Sequence, residues 1–131
     1  MAFKAAGHKP GLVACGERFL KEDQHWWDAF LAFEAAGHQP GLVACGKKSL
    51  EAGQLWPALQ AFEKAGYRPG LIACGEQLLK EGAPSGARLA FEAAGHKPGL
   101  VACGKKFRAM GRRTEARKAF EAAALLEDEA A

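Results

Sequence analysis

Apolar residues fall along this chain in short stripes at helical spacing. In the run from Gly11 to Glu22, Leu12, Cys15, Phe19 and Leu20 share one face, which predicts an amphipathic helix. Asp23 breaks that run, as Gly53, Gly82 and Gly111 break the later ones. A second stripe follows each break; over Leu55 to Ala65 it consists of Ala58, Leu59, Phe62 and Ala65. Pro10, Pro40, Pro69 and Pro98 stand where a first helical turn begins, a place where the missing N–H costs nothing. Gly37, Gly66 and Gly95 stand just past the second stripes, where a left-handed cap favours glycine. The pattern reads as helix–turn–helix hairpins joined end to end.

The hairpins repeat. His8 to Gly16 returns as His38 to Gly46, Tyr67 to Gly75 and His96 to Gly104, so Cys15, Cys45, Cys74 and Cys103 are spaced 30, 29 and 29 apart. Phe3, Phe33, Phe62, Phe91 and Phe120 keep the same steps. A fixed period of this size marks a stacked array. The expected organisation is one all-α domain over 1–131, with a partial helix over 1–7 and repeats over 8–37, 38–66, 67–95 and 96–131. No single hairpin can bury its apolar stripe, and stacking four of antiparallel helices makes a continuous core. Glycine in a helix interior costs roughly 1 kcal/mol against alanine. Its return at 16, 46, 75 and 104 therefore predicts a neighbour too close for a side chain. The first repeat carries one extra residue around His25-Trp26-Trp27, at its inter-helix turn. In the third, Ala83-Pro84-Ser85-Gly86 falls where the second helix should start, which predicts the shortest and least stable helix there.

These residues resemble the tetratricopeptide repeat. That family places a large apolar residue, a small apolar residue with Gly, and an aromatic on its first helix, as Leu12, Cys15-Gly16 and Phe19 stand here. It then has a turn Gly and a second helix with Ala, an aromatic and Ala, matched by Gly53, Ala58, Phe62 and Ala65 and by Gly111, Ala116, Phe120 and Ala123. The period here is shorter than the family's by about five residues, and Ser49 and Leu78 replace the first-helix aromatic. The resemblance implies a right-handed α-solenoid whose first helices line a concave, partner-binding face. By that register the groove residues are Val13, Glu17 and Leu20; Val43, Lys47 and Leu50; Ile72, Glu76 and Leu79; and Val101, Lys105 and Arg108. Such an apolar strip with interleaved charges suits a peptide with apolar anchors. Some family members grip a C-terminal carboxylate with Asn two residues before the first-helix Gly. Ala14, Ala44, Ala73 and Ala102 stand there, so carboxylate capture finds no support.

Composition narrows the field. Of 131 residues, 49% are apolar and 25% charged, the balance of a globular protein. The formal charge of +3 neither demands nor forbids a polyanionic partner. No apolar run approaches the roughly 18 residues that span a bilayer, and Met1 to Gly7 has no signal-peptide pattern, which sets the expected location as the cytoplasm and excludes a membrane partner.

Candidate chemistry is thin. The four cysteines sit on the apolar stripes without a Cys-x-x-Cys pair, so they read as small core residues rather than as metal or redox groups. His8, His38 and His96 form a ladder that converges on no point, and no metal site or cofactor is expected. Glu34, Glu63, Glu92 and Glu121 read as a solvated ladder. Trp26, Trp27 and Trp56 are expected to pack between turns; an exposed one would instead point to a partner surface. Lys105, Lys106, Arg108, Arg112 and Arg113 make the last repeat basic, the feature that an RNA- or polyanion-binding module would use. Because that patch is confined to one repeat, nucleic acid ranks below a protein or peptide partner. No nucleophile–base set or phosphate-binding glycine loop appears, and no enzymatic activity is expected.

At the ends, the last helix is expected to run through Leu125-Leu126, with Glu127-Asp128-Glu129 folding back on the basic patch. Neither end carries a capping helix, which predicts either a piece of a longer array or a homo-oligomer formed through open ends. A purely structural array whose partner is itself is thus the third reading, after the peptide scaffold and the polyanion binder.

Overall fold

The computed structural model describes residues 9–22 and 25–126. The expected helix over 1–7, the break at Asp23 and the acidic tail lie outside the described residues. Among those described there are eight α-helices and no strand. They are α1 (Lys9–Lys21), α2 (Trp26–Ala36), α3 (Gln39–Glu51), α4 (Leu55–Ala65), α5 (Arg68–Lys80), α6 (Pro84–Ala94), α7 (Lys97–Ala109) and α8 (Arg113–Ala124). The fold is all-α and built of helical-repeat hairpins. It divides into two compact units, Met1–Tyr67 and Arg68–Ala131, each holding two hairpins whose helices pack on their sequence neighbours.

The repeat fixes element lengths. First helices have 13 residues, and α2, α4 and α6 have 11. Four residues separate Lys21 of α1 from Trp26 of α2 and three separate Glu51 of α3 from Leu55 of α4, so the extra residue of the first repeat falls between its two helices. Second helices end in left-handed glycine. Gly37, Gly66 and Gly95 have φ of 63°, 65° and 63°. The residue after each donates its N–H to the carbonyl of Phe33, Phe62 or Phe91, closing the orphan acceptors in a Schellman cap. Helix α6 corrects one expectation: it begins at Pro84 and equals α2 and α4 in length. Proline at a first helical position gives up an N–H that has no helical acceptor, so Pro84 starts the helix rather than shortening it. Helix α8 corrects another. It ends at Ala124, and Leu125 is non-helical and 88% exposed.

Each core centres on the repeated phenylalanine. In the first unit Phe33 is 1% exposed, and a Cβ at Gly16 of α1 would come within 2.6 Å of its ring. A Cβ at Gly41 of α3 would overlap the same ring more severely. Phe33 thus sits against a glycine of its own hairpin and a glycine of the next. Ala29, Phe30, Leu42 and Cys45 complete that core. In the second unit Phe91 stands in the same relation to Gly75 of α5 and Gly99 of α7. The expected close approach at 16, 46, 75 and 104 is therefore an aromatic ring, and Gly41 and Gly99 serve it too.

Cys45, Cys74 and Cys103 are buried and Cys15 half-buried, all as free thiols. Burial pushes the thiols of Cys45, Cys74 and Cys103 up to about 11, which leaves them protonated and unreactive near neutrality. The His38 and His96 rings lie 5.7 Å and 5.5 Å from Phe33 and Phe91, covering the junctions between hairpins. Among the described residues no group of His, Cys, Asp or Glu could hold a metal ion, and no helix is long and apolar enough to cross a membrane.

Candidate peptide-binding groove

In the second unit α5 and α7 stand side by side over α6, leaving a groove of about 770 Å³. Ile72, Glu76, Leu79 and Lys80 form the α5 wall, and Pro98, Ala102, Lys105, Lys106 and Ala109 the α7 wall. Phe91 and His96 contribute to the lining between them. Small residues make the groove. Gly99 lets Phe91 approach α7, and Ala102 and Ala109 leave the space that longer side chains would fill. The apolar lining carries three lysines and one glutamate, so its field favours an occupant with acidic groups.

The twelve residues expected from the register divide. Ile72, Glu76, Leu79 and Lys105 line this groove; Val101 is half-buried and Arg108 exposed outside it. The reason is geometric. A first helix lends one edge to the groove on one side and the adjacent edge to the other. On α7 the groove takes Ala102 and Ala109 in place of Val101 and Arg108, each one residue further on and so a rotation of about 100° away, while Lys105 and Lys106 both line it. A single register applied to every repeat describes one edge only. The missed residues, Ala102 and Lys106 above all, were reachable by the same spacing shifted by one.

In the first unit Val13, Leu20, Val43 and Leu50 are half-buried and Glu17 and Lys47 exposed. Val13, Leu20 and Val43 pack against the core. Here Lys48 crosses from α3 and donates to the carbonyl of Leu20 on α1. Lys47 lies 5.6 Å from the Tyr67 ring centre.

Helix α7 divides the basic cluster. Lys105 and Lys106 face the groove, whereas Arg108 and Arg113 border a separate hollow of about 420 Å³ on α7 and α8. The Arg108 guanidinium lies 5.5 Å from the Phe120 ring centre, within cation–π range. Arg112 is exposed in the turn. The glutamates of the expected ladder are exposed, and three of them pair with neighbours: Glu34 with Lys64, Glu92 with Arg88 and Glu121 with Arg117.

The packing expectation holds for one tryptophan only. Trp26 is half-buried, stacks on Phe30 at 5.4 Å and donates its Nε1–H to the Cys45 carbonyl at 2.8 Å. Trp27 and Trp56, at matching places on α2 and α4, are 51% and 55% exposed. The stripe of each helix is already filled by its inner residues, so the neighbouring position must face outward.

No family model matches the sequence, and no curated protein matches it. A solved structure, the crystal structure of MamA protein, is similar over 94% of this chain and 75% of its own, at 18% sequence identity and a TM-score of 0.43. That likeness is too loose to carry an inference about function.

Proposed function

We propose that this chain is a protein- or peptide-binding scaffold or adaptor, tetratricopeptide-like in plan, that grips its partner between first helices. The observation that carries the reading is the α5–α7 groove, whose apolar lining beside Phe91 is bordered by Lys80, Lys105 and Lys106. The partner segment offers apolar anchors to Ile72, Leu79 and Ala102 and acidic side chains to the lysines. No step of this function is catalytic and none needs a cofactor. Reading 1–131 as one repeat array, and its location as cytoplasmic, belongs to the same proposal. Exposed Trp27 and Trp56 make the second place to look for contact.

Selection of peptides from a displayed library, followed by calorimetry, tests this. Selected peptides should carry apolar and acidic residues and lose at least tenfold in affinity against Ala102→Trp, which fills the groove. Equal binding to that variant would sink the groove reading. Preferential binding of RNA or another polyanion, lost steeply with salt and with Lys105→Ala and Lys106→Ala, would replace it with the polyanion reading.

A further inference from the structure

The parts that build the α5–α7 groove occur a second time, in the first unit. Each residue lining that groove has a counterpart on α1, on α3 or on α2 and the turn after it, and all but two counterparts are identical. Glu17, Leu20 and Lys21 of α1 match Glu76, Leu79 and Lys80 of α5. Ala44, Lys47 and Lys48 of α3 match Ala102, Lys105 and Lys106 of α7. The exceptions are Val13 for Ile72 and Glu51 for Ala109. The backbone follows the sequence. A Cβ at Gly16 would lie 2.6 Å from the Phe33 ring and one at Gly75 2.7 Å from the Phe91 ring, so α1 and α5 stand equally close to their phenylalanines. Gly41 and Gly99 seat the same two rings from α3 and α7, and the His38 and His96 rings cover them at 5.7 Å and 5.5 Å.

One side chain is placed differently. Lys106 is exposed, whereas Lys48 is half-buried and donates to the Leu20 carbonyl. In the second unit the matching carbonyl, that of Leu79, accepts from the N–H of the turn glycine Gly82, and Asp23 stands at that position of the first hairpin. Carbonyls of a last helical turn need donors from outside the helix, and Lys48 supplies one from α3. We infer that α1 and α3 form a second site for a partner segment of the same kind, apolar with acidic side chains, and that Lys48 and Glu51 make it the weaker of the two. Val13, Leu20 and Ala44 offer the apolar contacts, and Lys21 and Lys47 the charge. A carboxylate reaches Lys48 only in competition with the Leu20 carbonyl. Glu51 adds a second acid where Ala109 is neutral, so three lysines are set against two glutamates here and against one in the α5–α7 groove. The inference rests on the reading of that groove as peptide-binding.

Calorimetry of the full chain with a peptide selected on the wild type tests it. The wild type should bind two peptides per chain, with dissociation constants at least tenfold apart. Ala102→Trp and Lys80→Glu should weaken only the tighter event, and Ala44→Trp and Lys21→Glu only the weaker. The two charge reversals fall at exposed positions, so they read each site even where a tryptophan disturbs the fold. Glu51→Ala should tighten the weaker event at least threefold and leave the tighter one unchanged. A single peptide per chain, lost in Ala102→Trp and bound as by wild type in Ala44→Trp and Lys21→Glu, would overturn the second site and leave the α5–α7 reading standing. Two events that both ignore Ala44→Trp and Lys21→Glu would overturn it as well. Binding that ignores Ala102→Trp and Lys80→Glu would overturn the α5–α7 reading, and this inference with it.

Discussion

Replacing Gly75 by Ala separates packing from helix propensity, because the two predict opposite signs. Propensity alone favours the substitution by about 1 kcal/mol in a helix interior. The structure opposes it. A Cβ at Gly75 would stand 2.7, 2.8 and 2.9 Å from three carbons of the Phe91 ring, whereas carbon atoms settle at roughly 3.5–4.0 Å. The ring has little room to retreat, since it is 1% exposed, fitted against Gly99 and 5.5 Å from the His96 ring. Overpacking of this kind costs about 1–3 kcal/mol, and three simultaneous overlaps place Gly75→Ala at the upper end. The net expectation is a loss of about 2 kcal/mol, or a fall in Tm on the order of 5–10 °C. Thermal unfolding followed by circular dichroism reads this directly. Phe91→Leu should relieve the overlap, so the double variant should lose about 1 kcal/mol less than the two single losses together. A Gly75→Ala protein that melts higher than wild type would refute the reasoning, and strict additivity would show that Phe91 is not the obstacle.

Three further outcomes follow from features already described. The buried Ser49 hydroxyl has no hydrogen-bond partner among the described residues, so Ser49→Ala should be neutral or stabilising by up to about 1 kcal/mol in chemical denaturation. Gly66 has open space where a side chain would go but φ of +65°, so Gly66→Val should destabilise by about 1–2 kcal/mol and Gly66→Asn by less, measured the same way. Because the folded state holds protons on Cys45, Cys74 and Cys103 up to about 11, against an ordinary value of 9.0, it binds more protons than the unfolded chain between those values. Stability should therefore fall as pH rises from about 9 to 11, and replacing the three cysteines by Ala should flatten that slope.

The sequence makes the hairpins legible because a helix boundary is a local event. Pro98 at a first turn, Gly95 beyond a last one and Gly82 between two helices each act through their own backbone, and the structure places all three where their chemistry requires. The fit of Phe91 to Gly99 is less visible. Gly99 follows Pro98 in the first turn of α7, where a glycine costs a helix little, and only the course of α6 shows what it admits. The groove is harder still. Val101 and Ala102 are neighbours in sequence, both half-buried, and which of them lines the groove depends on how α5 and α7 are rotated about their axes. Trp27 and Trp56 resisted for a related reason: a large apolar residue beside a core stripe reads as core until the stripe is seen to be full.

The paired glycines around Phe33 and Phe91 also bear on how such a chain can lengthen in evolution. Phe91 needs a glycine 16 residues before it and another 8 residues after it, and Phe33 asks for the same with a single extra residue inside its turn. A tandem duplication of 29 residues restores both spacings wherever in the gene the breakpoints fall. Unequal recombination between repeats would then yield longer or shorter arrays that fold without further change, whereas a duplication of any other small length would leave one ring facing a side chain.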